Sequence, residues 1–101
     1  MKSLAVHILL YREMDHHVAH CLEFDLVAQG GTKEEAFQNL LDAIELQANY
    51  ALEVGDIANL IQPAPPEYWR MLFKSESCPL PLGSMRLPEI LSDVDCNLVA
   101  A

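Results

Sequence analysis

The junction Gly30-Gly31-Thr32, followed three residues later by Glu35, constrains this chain more than any other stretch. Upstream of it, residues 24–29 read as a strand; downstream, apolar residues recur every three or four positions. The paired glycines end the strand because glycine accepts positive φ at little steric cost. Thr32 then reads as a helix N-cap, and Thr32-x-x-Glu35 as a capping box in which Thr32 accepts from the Glu35 N–H while Glu35 reaches back. Glu34 and Glu35 also set negative charge at the positive end of the helix dipole. A chain with this junction turns from sheet to helix there, so the expected fold class is α+β: a small antiparallel sheet covered by one long helix.

The helical pattern continues to about Val54, with Gly55 as its natural C-cap. At 1.5 Å per residue it spans roughly 33 Å. Its main apolar stripe, Phe37, Leu40, Leu41, Ile44, Ala48 and Leu52, is expected to cover the sheet. A second stripe, Ala43, Leu46, Tyr50 and Val54, lies roughly opposite. A helix that only covers a sheet has no need of that second stripe. The expectation is that either the C-terminal segment or another subunit packs on it, and these four residues are assigned to an oligomer interface.

The strands follow from period-two alternation. In residues 4–11, Leu4, Val6, Ile8 and Leu10 share one face, and Ala5, His7 and Leu9 the other. Residues 13–16 read as a hairpin connection, His17 to Leu22 as a second strand and Phe24 to Gln29 as a third. Only Glu23 and its neighbours separate the last two, which implies a tight hairpin or a bulged corner. Beyond the helix, Asp56 is placed to cap a short turn through Ile61. Pro65 and Pro66 stand where a helix can start, and residues 67–74 read as one or two helical turns pinned by Trp69, Leu72 and Phe73. Ser75 to Ser84 reads as a loop, and residues 85–91 are ambiguous because Pro88 argues against a central strand. Val94, Cys96 and Leu98 share a face of a final strand, added to this sheet or to a neighbour's. The whole reads as one domain over 1–101, with its core at 4–54 and a C-terminal extension at 55–101.

Charge narrows the function. Of 101 residues, 15 are acidic and 6 basic, giving a formal net charge of −9. The basic residues Lys2, Arg12, Lys33, Arg70, Lys74 and Arg86 are scattered rather than clustered, which disfavours direct nucleic-acid binding. An acidic surface instead suits a basic protein partner. Three cysteines at irregular spacing, Cys21, Cys78 and Cys96, and no leader-like opening give the expectation of a cytoplasmic protein with free thiols. No apolar run approaches the roughly 20 residues a membrane span needs.

His16, His17, His20 and Cys21 contain metal-ligating types, but strand alternation sets His16 and His20 against His17 and Cys21, so no metal site is assigned. His16 and His17 are expected to face solvent, with His20 at the edge of a helix-covered face. Cys21 reads as a small buried hydrophobe. Glu23 and Asp25 are either a paired-carboxylate site or solvated edge charges, and the second reading is preferred. Gly30-Gly31-Thr32 is not a P-loop, because its glycine spacing and the position of Lys33 are wrong and Glu34 and Glu35 repel phosphate. No catalytic residue and no cofactor are assigned.

Val18-Ala19-His20-Cys21-Leu22, then Ala28-Gln29-Gly30-Gly31-Thr32, then Glu34-Glu35-Ala36, with Asn39-Leu40 and Ala43-Ile44 continuing the helix, resemble in order and spacing the HicB-like antitoxin family. The match covers residues 4–54. The resemblance implies a β-β-β-α-β domain of partial RNase H-like fold, without that nuclease's metal-binding carboxylates. It also implies dimers or tetramers and a partner of the HicA-like class, a small basic ribonuclease toxin. The chain departs from the family pattern at Gly31, where Asp is common, and at the Leu22-Glu23-Phe24-Asp25 corner. No basic helix-turn-helix segment follows Val54, so the expectation is a stand-alone module that does not read an operator.

Three readings follow. The first is a non-enzymatic binding module that sequesters a small basic protein through Glu23, Asp25, Glu34, Asp42 and Glu45. The second is a structural homo-oligomer, or an orphan without a toxin, held by the Ala43, Leu46, Tyr50 and Val54 stripe. The third is a metal-dependent hydrolase using Glu23, Asp25, His17 and His20.

Overall fold

The computed structural model describes residues 4–78 and 91–99. Three strands, β1 (Leu4–Glu13), β2 (His16–Cys21) and β3 (Leu26–Gly30), lead into helix α1 (Lys33–Val54). A 3-10 turn (Ile57–Leu60), a short helix α2 (Pro66–Phe73), a two-residue strand β4 (Glu76–Ser77) and β5 (Leu91–Leu98) follow. The sheet order is β3-β2-β1-β5-β4. The β1–β2, β2–β3 and β4–β5 pairs are antiparallel, and β1–β5 is parallel. The α+β class and the β-β-β-α-β order are therefore as expected. The final strand pairs within the chain, starts earlier than Val94 and lies beside the central strand, with Ile8 opposite Cys96.

Alternation along β1 and β2 divides two cores. Val6, Ile8, Leu10, Ala19 and Cys21 pack under Phe37, Leu40, Leu41, Ile44 and Ala48 of α1. On the opposite face Leu9 and Leu22 pack with Ala64 beneath Tyr68, Trp69 and Leu72 of α2. Trp69 donates from Nε1 to the Ala64 carbonyl at 3.1 Å, and the Ala64 N–H donates to the Leu22 carbonyl at 2.8 Å, which fixes α2 to the sheet. Phe73, expected to help, is 87% exposed. An eight-residue helix turns only part of its surface to the sheet, and its last residue falls outside that arc.

The Thr32 and Gly55 caps are as read, while no bond returns from the Glu35 carboxylate to the Thr32 N–H among the described residues. Thr32 Oγ1 accepts from the Glu35 N–H at 3.1 Å, and Gly55 closes α1 at φ 72°. Ala51, not Leu52, completes the buried stripe, because Ile44, Ala48 and Ala51 keep the three-and-four spacing while Leu52 swings to the flank, 41% exposed. Glycine at this junction is needed for a different reason than positive φ. Neither Gly30 nor Gly31 has a positive φ. Gly30 is required because a Cβ there would stand 2.5 Å from the Ala36 backbone nitrogen, where the strand end passes against the first turn of α1.

The corner after β2 is a four-residue turn, Leu22–Asp25, so β3 begins at Leu26 rather than Phe24. Phe24 is buried in the α1-side core from within that turn. Asp56 precedes the 3-10 turn without a side-chain bond to its backbone; its carboxylate accepts from the Asn59 side chain instead. The loop expected at Ser75 to Ser84 contains β4, because Glu76 and Ser77 pair with Leu98 and Asn97. Its residues 79–84, and positions 85–90 of the ambiguous segment, lie outside the described residues. Among the described residues no helix is long and apolar enough to cross a membrane.

Candidate functional site

The outer surface of α1 carries the most unusual side-chain pattern in the molecule. Leu46, Tyr50 and Val54 are 69%, 61% and 54% exposed, and Ala43 beside them is half-buried. Neither the C-terminal strand nor α2 covers this row; both pack on the sheet. Helical spacing puts Asn39 on the same flank, and its side-chain amide donates to the Gln29 carbonyl of β3 at 2.9 Å. That bond sets the apolar row on the side of α1 nearest the open edge strand. At its C-terminal end, Tyr50 and Val54 open onto a hollow of about 250 Å³ shared with Gln47, Asp56 and Asn59.

Acidic residues line one side of this row. Asp42 precedes Leu46 by one helical turn, and Glu35 and Glu53 lie alongside by the same spacing. Glu34 and Glu45 are exposed further round the same side, near Leu52. In 22 residues α1 has five carboxylates and, after Lys33, no basic side chain. Glu53 sits in the last turn, where the helix dipole favours a cation, and no basic residue there offsets it. An exposed apolar row with carboxylates along one side is matched by a surface that sets apolar anchors beside a basic strip.

Glu23 and Asp25, expected on the same surface, lie instead at the Leu22–Asp25 turn, and both are engaged by histidines. Glu23 Oε1 accepts from the His7 backbone N–H at 2.7 Å, and its Oε2 stands 2.7 Å from His7 Nδ1. The Glu23 carboxylate thus extends the β1–β2 ladder past the end of β2, where the Leu22 N–H donates to the His7 carbonyl at 3.0 Å. His7 Nε2 in turn lies 3.7 Å from Asp95 Oδ2 on the neighbouring β5. Asp25 adopts φ 51°, a left-handed conformation that aspartate tolerates, and this aims its Oδ1 at His20 Nε2, 2.8 Å away.

His20 is buried, 1% exposed, under the ring of Tyr68 at a centroid distance of 4.6 Å. It is not at an edge, because α2 gives the second sheet face a cover of its own. His20 Nε2 shares this hydrogen bond with Asp25, and among the described residues His20 Nδ1 has no partner. Burial, its largest cause, followed by the nearby Tyr68, Glu13 and Asp25, pushes the Tyr11 hydroxyl up to about 12.

The four residues of the hydrolase reading do not converge. His20 and Asp25 form one pair, Glu23 belongs to His7, and His17 lies on the opposite sheet face. There His17 lines a cleft of about 470 Å³ with Arg12, Lys33, Glu34 and Leu98, a site of mixed charge. His16 is exposed as expected. Among the described residues, no hydroxyl or thiol bonds either His7 or His20, and no group of three or more His, Cys, Asp or Glu side chains is arranged to hold a metal ion.

Two features escaped the sequence reading. His7 is placed on a strand face with no partner named, and Cys78 and Cys96 are read as free thiols at irregular spacing with no contact between them named. The structure brings Cys78 Sγ within 3.2 Å of Cys96 Sγ. The signal for His7 was weak, since its partner turns back from a corner sixteen residues away. Comparison with known protein families, curated proteins and solved structures returned no match to the chain.

Proposed function

We propose that this protein is a binding module that takes a small basic protein onto the outer face of α1. The observation that carries this reading is the exposed row Leu46, Tyr50 and Val54 inside a helix whose surface charges beyond Lys33 are all negative. The resemblance to HicB-like antitoxins supplies the partner class: a HicA-like ribonuclease toxin, whose basic RNA-binding face would be occupied. In this reading Leu46 and Tyr50 are the anchors, the hollow beside Val54 receives a partner side chain, and Asp42, Glu45 and Glu53 draw in the basic strip. Glu23 and Asp25 support the fold at the corner rather than the contact, because both are held by histidines. Glu34 lies by the Lys33 cleft and contributes charge from the far end of the helix.

The test is binding of a HicA-like basic ribonuclease to the full chain by calorimetry, with inhibition of RNA cleavage as a second readout. Leu46→Lys and Asp42→Lys are each expected to weaken binding at least tenfold without unfolding the protein. No complex at micromolar concentration, or variants that bind as tightly as the parent protein, would sink the reading.

The same row could pair two copies of this chain, and salt separates the cases. Two copies would bring like carboxylates together, so added salt would strengthen self-association. A basic partner is attracted by those charges, so added salt weakens its binding.

A further inference from the structure

Cys78 and Cys96 sit directly across the β4–β5 edge. The register that pairs Glu76 with Leu98 and Ser77 with Asn97 brings Cys78 opposite Cys96 one step on. The Cys78 N–H donates to the Cys96 carbonyl at 3.0 Å, which fixes the two backbones, and the sulfurs are 3.2 Å apart. Directly opposed residues of an antiparallel pair have Cβ atoms about 4.5–5.5 Å apart, so closure to the roughly 3.5–4.5 Å of a disulfide needs only a small approach. Both thiols are free in this structure. Their environments differ: Cys96 is buried in the α1-side core, while Cys78 is only partly buried at its rim. Cys21 is also buried and is bonded to neither.

We infer that Cys78 and Cys96 form a redox modification site, a dithiol that closes to a reversible intramolecular disulfide on exchange with a small-molecule disulfide of the glutathione type. The Cys78 thiolate attacks one sulfur of the small disulfide, forming a mixed disulfide and expelling one small thiolate, which takes up a proton. Cys96 then gives up its proton to solvent and attacks the Cys78 sulfur, expelling the second small thiol. The protein loses two electrons and two protons, and the small disulfide gains them as two thiols. The order follows from access, because Cys78 is the less buried of the two. Burial raises the Cys96 thiol well above its ordinary range, which keeps it protonated until Cys78 offers it a sulfur at contact distance. The product ties the two-residue strand β4 to β5, a pairing otherwise held by very few backbone bonds.

The experiment treats the full chain with oxidised glutathione and reads intact mass, free thiols and a non-reducing peptide map. The expected result is a mass lower by two hydrogens, one free thiol left of three, and a Cys78–Cys96 linked peptide that dithiothreitol reverses. Hydrogen exchange at the Cys78 amide slows at least tenfold in the oxidised form. Cys78→Ser, a change at the less buried position, abolishes the linkage, and Cys21→Ala leaves it in place. Three free thiols after treatment, a persistent glutathione adduct on Cys78, or a linkage only between molecules would each overturn the inference.

Discussion

Asp25 reaches back five residues through a left-handed backbone to hold His20 Nε2 at 2.8 Å, the one nitrogen of that buried ring with a partner among the described residues. Asp25→Ala therefore leaves a buried imidazole with neither nitrogen bonded. The expected loss is about 1–3 kcal/mol, read as a lower urea midpoint. Asp25→Asn keeps an accepting oxygen and tolerance for positive φ, so it should retain most of the stability. Equal stability of the alanine variant and the parent protein would show that the pair does not support the fold.

Gly30 and Gly31 should respond in opposite ways to the same substitution. Gly30→Ala drives a Cβ to 2.5 Å from the Ala36 nitrogen, whereas at Gly31 the nearest atom is the mobile Glu35 Oε2 at 3.9 Å. Gly30→Ala is expected to cost about 1–3 kcal/mol, the usual range for overpacking. Gly31→Ala should be within about 0.5 kcal/mol of the parent, as at other surface sites. Circular dichroism melts of the two variants are sufficient to compare them.

Glu53→Lys separates stability from binding. It places a cation where the dipole of α1 favours one, and should raise stability by about 0.3–1 kcal/mol. It also removes a carboxylate from beside the Leu46 and Tyr50 row, so the proposed basic partner should bind more weakly. A variant that gained stability and lost no affinity would exclude Glu53 from the contact.

Alkaline pH should unfold the protein in a defined window. Burial above all, with Glu23 adding to it against two backbone N–H bonds, pushes the Cys21 thiol from 9.0 up to about 12. Tyr11 moves from 10.0 to about 12, again chiefly by burial. Both folded-state values lie above the unfolded ones, so the folded state binds these protons more tightly. The contribution is complete below about pH 9 and is lost as pH rises through about 12. Urea midpoints across this range should fall steeply, and Cys21→Ala, though less stable at neutral pH, should fall less steeply.

What could be read in the sequence was local. Thr32 and Gly55 bound α1 because caps depend on a few neighbouring residues and their hydrogen bonds. The two faces of β1 were legible from alternation alone. The partners of Glu23 and Asp25 were not, because a carboxylate in a turn has no period to betray where it folds back. Leu52 misled because it is larger than Ala51, while helix geometry rather than size decides which of two adjacent residues meets the sheet. Phe73 misled for a related reason: an aromatic at helical spacing predicts burial only if the helix is long enough to present a full face. The pairing of Cys78 with Cys96 depends on β4, a strand of two residues that leaves no pattern to detect.

The parallel pairing of β1 with β5 has a consequence for how the protein is made. Leu10 lies beside Leu98, so residues from opposite ends of the described sequence are hydrogen-bonded neighbours in the middle of the sheet. During synthesis β1, β2, β3 and α1 can associate early, but one side of β1 stays an open template until β5 emerges. Such long-range strand pairing slows folding and leaves an unpaired edge exposed to other chains in the interval. Nascent chains interrupted before β5 should therefore be the species most prone to aggregate.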